Sequence, residues 1–252
     1  MQNQEREVNK QMAAPNIGLI YCSVFEDEIA LLANEATHIK ARQCFDIGLH
    51  DRPKTMRENL QAAVEEMDAR TDIEAIVLVY GLCGLGTAGL RAGRHKLVIT
   101  RAHDCMTLFM GSKERYAQTQ AASPDTYFYT PGWNRARRVP GPERLAALRE
   151  ELAKKYDADT VDFLVEAERE LWAKHGRAVY LELGTASAAT EAEYAKHCAE
   201  GLGWSFEHIS GDRALMHDLL WGNWDEARFQ TIEPGHCLQH SVDAAIFKSK
   251  TT

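Results

Sequence analysis

No stretch of this chain approaches the roughly 20 consecutive apolar residues that a membrane-spanning helix needs. The opening MQNQEREVNKQM also lacks the apolar core of a signal peptide, so a cytoplasmic protein is expected. Basic charge is scarce, with 29 Lys and Arg against 37 Asp and Glu and a formal net charge of −8. That balance argues against a nucleic-acid partner, which would need a basic face to displace phosphate counterions. The local run Arg135 to Arg138 reads as solvated surface. No CxxC, HExxH or Asp-x-His-x-x-Gly spacing occurs, and neither a fixed-period repeat nor a low-complexity tract is present. The six cysteines, Cys22, Cys44, Cys83, Cys105, Cys198 and Cys237, read as thiols or metal ligands in a reducing compartment rather than as a disulfide framework. With 252 residues and 45% hydrophobic content the chain can bury a core without such staples.

What is present is a set of short apolar runs, each leading into residues with chemical reach. Ile17 to Tyr21 runs into Cys22, Ile76 to Tyr80 into Gly81-Leu82-Cys83-Gly84, and Leu97 to Thr100 into Arg101-Ala102-His103-Asp104-Cys105. Continuous apolar runs of this length predict strands buried on both faces, as in a parallel sheet. In the last third, strands at Ala178 to Leu183, Trp204 to Ile209 and Phe229 to Ile232 alternate with helices at Thr190 to Gly201 and Arg213 to Leu220. Together these predict an α/β fold with a mostly parallel, Rossmann-like sheet. Further strands are expected at Gln43 to Ile47 and Thr126 to Thr130, and helices after Phe25, from Pro53, and from Met106 to Tyr116 with an interruption at Gly111.

Residues 140–175 are charged and helix-prone throughout, with a break near Asp157-Ala158-Asp159, and read as a two-helix insertion. The expected organisation is a disordered N-terminal tail over 1–14, one α/β domain over 15–236 and a C-terminal tail over 237–252.

Ligands of open α/β sheets sit beyond the carboxyl ends of the strands, so the site is expected at these exits. Cys22, Cys83 and Cys105 each follow an apolar run, and neighbouring parallel strands would bring their thiols to one edge. Three thiolates with His103 as fourth ligand, and His236 behind it, suit zinc, while three thiolates alone can hold an iron-sulfur cluster. Taken singly, each cysteine is equally a small buried hydrophobe. A metal-free reading makes Cys83 or Cys105 a nucleophile with His103 as base, Asp104 orienting it and Arg101 at hand, or sets two cysteines to exchange a proton across a substrate carbon. If the chain stays extended past Thr100, Arg101, His103 and Cys105 share one side and Asp104 points away.

Gly84-Leu85-Gly86-Thr87-Ala88-Gly89 matches GxGxxG, but too few residues separate it from the next strand for the helix that must hold a pyrophosphate. The glycines instead permit close backbone approach to a ligand. Tyr80, Gly81, Gly84 and Gly86 are therefore candidate ligand contacts, together with Trp133 after Pro131-Gly132, and Gly211-Asp212. His50-Asp51 and Glu182 lie in further exit loops and are equally placed to cap helices.

Tyr80-Gly81-Leu82-Cys83-Gly84 and His103-Asp104-Cys105, with Gly111-Ser112, Tyr116, Pro131-Gly132-Trp133, Gly211-Asp212 and Pro234-Gly235, resemble a prokaryotic family known mainly as a domain of unknown function. The resemblance runs from about Ile17 to Pro234. Members are often encoded beside corrinoid-dependent methyltransferases. The resemblance therefore implies a component of corrinoid- and folate-dependent methyl transfer, with methionine synthesis as its setting and a corrinoid protein or methyltransferase as its partner. It carries no catalytic residues over. Zinc-thiolate or iron-sulfur chemistry would belong in such a pathway. The missing Asp-x-His-x-x-Gly motif argues against direct cobalamin ligation. The alternatives are a metal-free cysteine enzyme acting on a small acid or amide, and a noncatalytic methyltransferase partner.

Overall fold

The apolar runs become the strands of two sheets in the computed structural model, which describes residues 14–136 and 139–251. All but the last residue of the expected N-terminal tail fall outside that range. In chain order the elements are β1 (Ile17–Cys22), α1 (Glu26–Ala33), β2 (Ile39–Phe45), α2 (Pro53–Asp68), β3 (Ala75–Val79), β4 (Lys96–Thr100), α3 (Met106–Met110), α4 (Lys113–Ala122), β5 (Thr126–Tyr129) and α5 (Pro131–Arg135). There follow α6 (Pro142–Leu152), α7 (Ala158–Trp172), β6 (Arg177–Glu182), α8 (Ala188–Leu202), β7 (Ser205–Ser210), α9 (Ala214–Trp221), β8 (Phe229–Ile232), β9 (His236–His240) and β10 (Phe247–Thr251).

The larger sheet has the order β2-β1-β3-β4-β8 and the smaller β5-β6-β7. All their pairings are parallel except that of β4 with β8. This is a Rossmann-like α/β architecture. β3 is wholly buried and β1 buried at every residue but Tyr21, and these are strands without a charged residue. β2 is an edge strand with alternating exposure, which is why it begins four residues before the apolar signal at Gln43. No helix among the described residues is long and apolar enough to cross a membrane.

The segment 140–175 forms the predicted helix pair, with Asp157 capping the second helix by accepting from the Thr160 amide at 2.9 Å. Rather than standing apart, the pair connects parallel strands β5 and β6. Gly111 ends α3 in the left-handed region at φ 80, and Ser112 caps α4 through the Arg115 amide. Pro131-Gly132-Trp133 opens a short helix: Thr130 caps it and Pro131 occupies its first turn.

The two sheets meet at their carboxyl ends. Gly132 packs so closely on the loop after β1 that a Cβ there would lie 2.1 Å from the Val24 carbonyl oxygen. Asp27 reaches across to Arg135 and to Ser187, both at 2.6 Å. Beside it Glu28, 0% exposed, has no hydrogen-bond partner for either carboxylate oxygen. One core runs through both sheets, joining Leu19, Val77 and Val98 to Val179 and Leu181. The opposite face of β6, Ala178 and Tyr180, packs on α8 as a smaller cluster.

The described part of the expected C-terminal tail, residues 237–251, folds as a hairpin rather than a tail. β9 and β10 pair antiparallel, and Leu238, Ile246 and Phe247 are buried. The hairpin is tied to the loop between β3 and β4 by Gly89 N–H donating to Leu238 O at 2.7 Å and Leu238 N–H donating to Leu90 O at 2.8 Å. Each of its strands buries a single residue, Leu238 in β9 and Phe247 in β10, too little for a periodicity signal.

Candidate functional site

In a sheet ordered 2-1-3-4 the chain leaves β1 toward β2 on one side and β3 on the other, which opens a crevice at the carboxyl ends of β1 and β3. Cys22 closes β1, Tyr80 follows β3 directly and Cys83 sits three residues on. Cys105, from the adjacent β4 exit, caps α3. The chain beyond β3 and β4 stays paired, with Leu82 N–H donating to Ala102 O at 2.8 Å and Cys83 N–H to His103 O at 3.0 Å. Gly81 permits this: a Cβ there would stand 2.9 Å from the Asp104 amide nitrogen.

Cys83 then takes a left-handed conformation, φ 47, as does Leu85 at φ 70. Such backbone costs an L-residue about 1–2 kcal/mol, and it places the thiol of Cys83 in the turn. The buried Thr87 hydroxyl closes that turn by donating to Gly81 O at 2.9 Å. No helix follows the GxGxxG sequence before β4, so Gly84 and Gly86 serve a turn rather than a pyrophosphate cradle.

The three thiols lie within electrostatic reach of one another. Burial pushes Cys22 up to about 12, and Cys83 and Cys44 push the same way. Burial also pushes Cys83 up to about 12, helped by Asp104. Cys105 is raised well above the usual thiol range by burial, then by Asp104 and Cys83, against the opposing Trp133 indole N–H, which lies 3.4 Å from its sulfur. Asp104 itself is raised by burial while accepting from Tyr116 Oη at 2.9 Å and the Met106 amide at 3.0 Å. Among the described residues no three His, Cys, Asp or Glu side chains form a ready-made metal cluster. The three cysteines close or follow neighbouring strands without forming a preformed coordination shell.

His50 stands beside Tyr80 and Trp133. Its ring lies 6.3 Å from Tyr80 and 6.3 Å from Trp133. Its Nδ1 is 2.9 Å from Ile47 O, and a carbonyl can only accept, so Nδ1 carries the proton and Nε2 keeps its lone pair. Burial lowers the pKa of His50 and keeps it neutral. In the sequence His50 is one exit-loop residue among several; nothing in its spacing sets it beside Tyr80 and Trp133.

The structure separates the rest of the expected set. The chain bends after Thr100, with Ala102 N–H donating back to Thr100 O, so Arg101, His103 and Cys105 do not share a side. Cys105 is buried, whereas His103 is exposed. Arg101 donates to the carbonyls of Glu226, Phe229, Ala245 and Phe247. His236 is occupied inside its hairpin, with Pro234 O and Thr251 Oγ1 as neighbours. Gly211 and Asp212 form a junction rather than a pocket wall: Asp212 N–H donates to Phe109 O at 3.0 Å, and a Cβ on Gly211 would come within 2.2 Å of that same oxygen. Trp133 meets one of the thiols, its indole N–H donating to Cys105 Sγ at 3.4 Å.

Fold and site together define a Rossmann-like α/β protein with buried Cys22, Cys83 and Cys105 closing or following adjacent strands at its topological switch point. The chain belongs to the family described as Protein of unknown function (DUF1638), which matches residues 44–220. That span holds His50, Cys83, Cys105 and Trp133, but not Cys22. No curated protein and no solved structure matches the chain.

Proposed function

We propose that Cys22, Cys83 and Cys105 hold a soft metal, zinc or an iron-sulfur cluster, and that the protein is a cytoplasmic component of corrinoid- and folate-dependent methyl transfer supporting methionine synthesis. One observation supports the metal reading: Cys22, Cys83 and Cys105 are all buried and close or follow three adjacent parallel strands, β1, β3 and β4, around the switch point. The donor set fits a soft ion, since thiolate is its preferred ligand. His50 adds a neutral imidazole whose other nitrogen is already held by a backbone carbonyl, the arrangement usual in metal-ligating histidines. A bound metal would deprotonate the thiols and supply a stabilised thiolate.

The raised thiols weigh against metal-free nucleophilic catalysis. A group with a pKa of about 12 is ionised in only about one molecule in 100,000 at neutral pH. Around the site, Trp133 screens Cys105 from water, and Asp104, held by Tyr116 and the Met106 amide, supports the turn into α3. The corrinoid setting and a methyltransferase or corrinoid carrier as partner rest on the family resemblance.

Elemental analysis of anaerobically purified protein tests the reading. We expect about one equivalent of zinc, or iron with acid-labile sulfide, retained in Cys237→Ser and lost in Cys83→Ser and Cys105→Ser variants that keep the wild-type circular dichroism. Metal-free protein, or metal retained in both variants, would overturn it.

A further inference from the structure

Arg101 and His103, separated from the thiols, line two neighbouring cavities at the β4 exit. One, of about 270 Å³, is bounded by Arg101, Lys113, Arg228 and Glu114, with Leu215 and Ala227 supplying apolar wall. The other, of about 260 Å³, takes in His103 and shares Lys113 and Glu114. We infer that the first of these binds a small organic acid, its carboxylate held by Arg101, Lys113 and the start of α4 and its short apolar body against Leu215 and Ala227.

Three independent features point to an anion. Arg101 donates from Nε and Nη1 only to backbone carbonyls, and its Nη2 has no hydrogen-bond partner among the described residues. Among the described residues no carboxylate is hydrogen-bonded to it, and Glu226 and Asp243 act on it only at longer range, so Nη2 is open to a further anionic oxygen. Arg228, by contrast, is already matched by Asp218 at 2.6 Å and Asp225 at 2.5 Å.

The second feature is α4, a helix of 10 residues that begins in the cavity wall. Ser112 caps the Arg115 amide, while among the described residues the Lys113 and Glu114 amides have no acceptor. The first-turn amides and the helix dipole both favour negative charge there. The third is Thr100, which lines the same cavity, is 1% exposed and has a hydroxyl without any hydrogen-bond partner. Buried hydroxyls are normally satisfied. Glu114 is the one acid in the wall, and its charge opposes an anion; that opposition gives the test its sign.

The full-length protein is titrated calorimetrically with sodium butyrate, inorganic phosphate and butylamine. Butyrate should bind saturably with a dissociation constant of about 1 mM or below, given its six heavy atoms. Phosphate, lacking the apolar body, should bind several-fold more weakly, and butylamine should not bind. Removing the Lys113 charge in Lys113→Met should weaken butyrate about tenfold, the usual cost of a charged hydrogen bond. Thr100→Val should weaken it a few-fold, and Glu114→Gln should tighten it. Arg101→Lys and Lys113→Met are read together with their circular dichroism, because Arg101 anchors the hairpin and Lys113 Nζ donates to Ala244 O at 3.1 Å; exposed Glu114 does not share that risk. No saturable butyrate binding, phosphate binding as tightly as butyrate, or a loss of affinity in Glu114→Gln would each overturn the assignment.

Discussion

Glu28 sits where the two sheets meet, 0% exposed, with both carboxylate oxygens lacking partners. Burial raises its pKa from the usual 4.5 to about 8, Asp27 and Glu182 adding to the rise and Arg135 opposing it. In the unfolded chain the carboxyl loses its proton near pH 4.5, whereas in the folded protein it keeps it to about pH 8. Between those values the folded state holds one more proton than the unfolded state, so stability falls as pH rises. The displacement corresponds to a loss on the order of 5 kcal/mol by pH 8, a large share of the ~5–15 kcal/mol that holds a domain together. Glu28→Gln keeps the shape and a neutral polar head but removes the titration. Guanidinium denaturation at intervals from pH 5 to pH 9 should give wild type and variant equal stability near pH 5 and an increasingly more stable variant toward pH 8. Parallel curves across the range would show that water or a counter-ion reaches Glu28 and that its burial does not govern its charge.

Two further outcomes follow from the packing. Under native conditions a thiol-alkylating reagent read by mass spectrometry should modify exposed Cys44 quickly and buried Cys22, Cys83 and Cys105 slowly. Trp133→Ala should then speed Cys105 selectively by at least about tenfold, and an unchanged rate would mean that the indole does not shield that sulfur. Gly132→Ala forces a methyl group against the Val24 carbonyl and should cost about 3 kcal/mol in denaturant titrations; a neutral effect would mean that α5 does not press on the β1 exit.

The buried strands were legible because β1, β3 and β4 are apolar on both faces, and the helix break at Asp157 because an N-cap has a chemical signature. Glycine and proline placement showed that Gly111 ends a helix, but not that Pro131-Gly132-Trp133 begins one. Placing Cys22, Cys83 and Cys105 at the ends of adjacent strands required only that β1, β3 and β4 pair in parallel. What could not be read was direction beyond the strands. The two-residue alternation that would have aligned Arg101, His103 and Cys105 holds only in extended chain, and the backbone bends at Ala102. His50 escaped for a related reason: its place beside Tyr80 and Trp133 depends on how the turn after β2 folds back, and Asp46 and Ser23 set that turn through the Gly48 and Ile47 amides.

The antiparallel pairing of β8 against β4 bears on synthesis of the chain. The larger sheet is built from β1 to β4 early, yet its last partner is made only after the whole smaller sheet. Through most of translation the β4 backbone therefore presents an open row of hydrogen-bonding groups beside a hydrophobic surface, the template on which strands of different molecules join. Ribosome-bound chains halted before Phe229 should be the ones that need chaperone protection, and release from it should coincide with the arrival of that single four-residue strand.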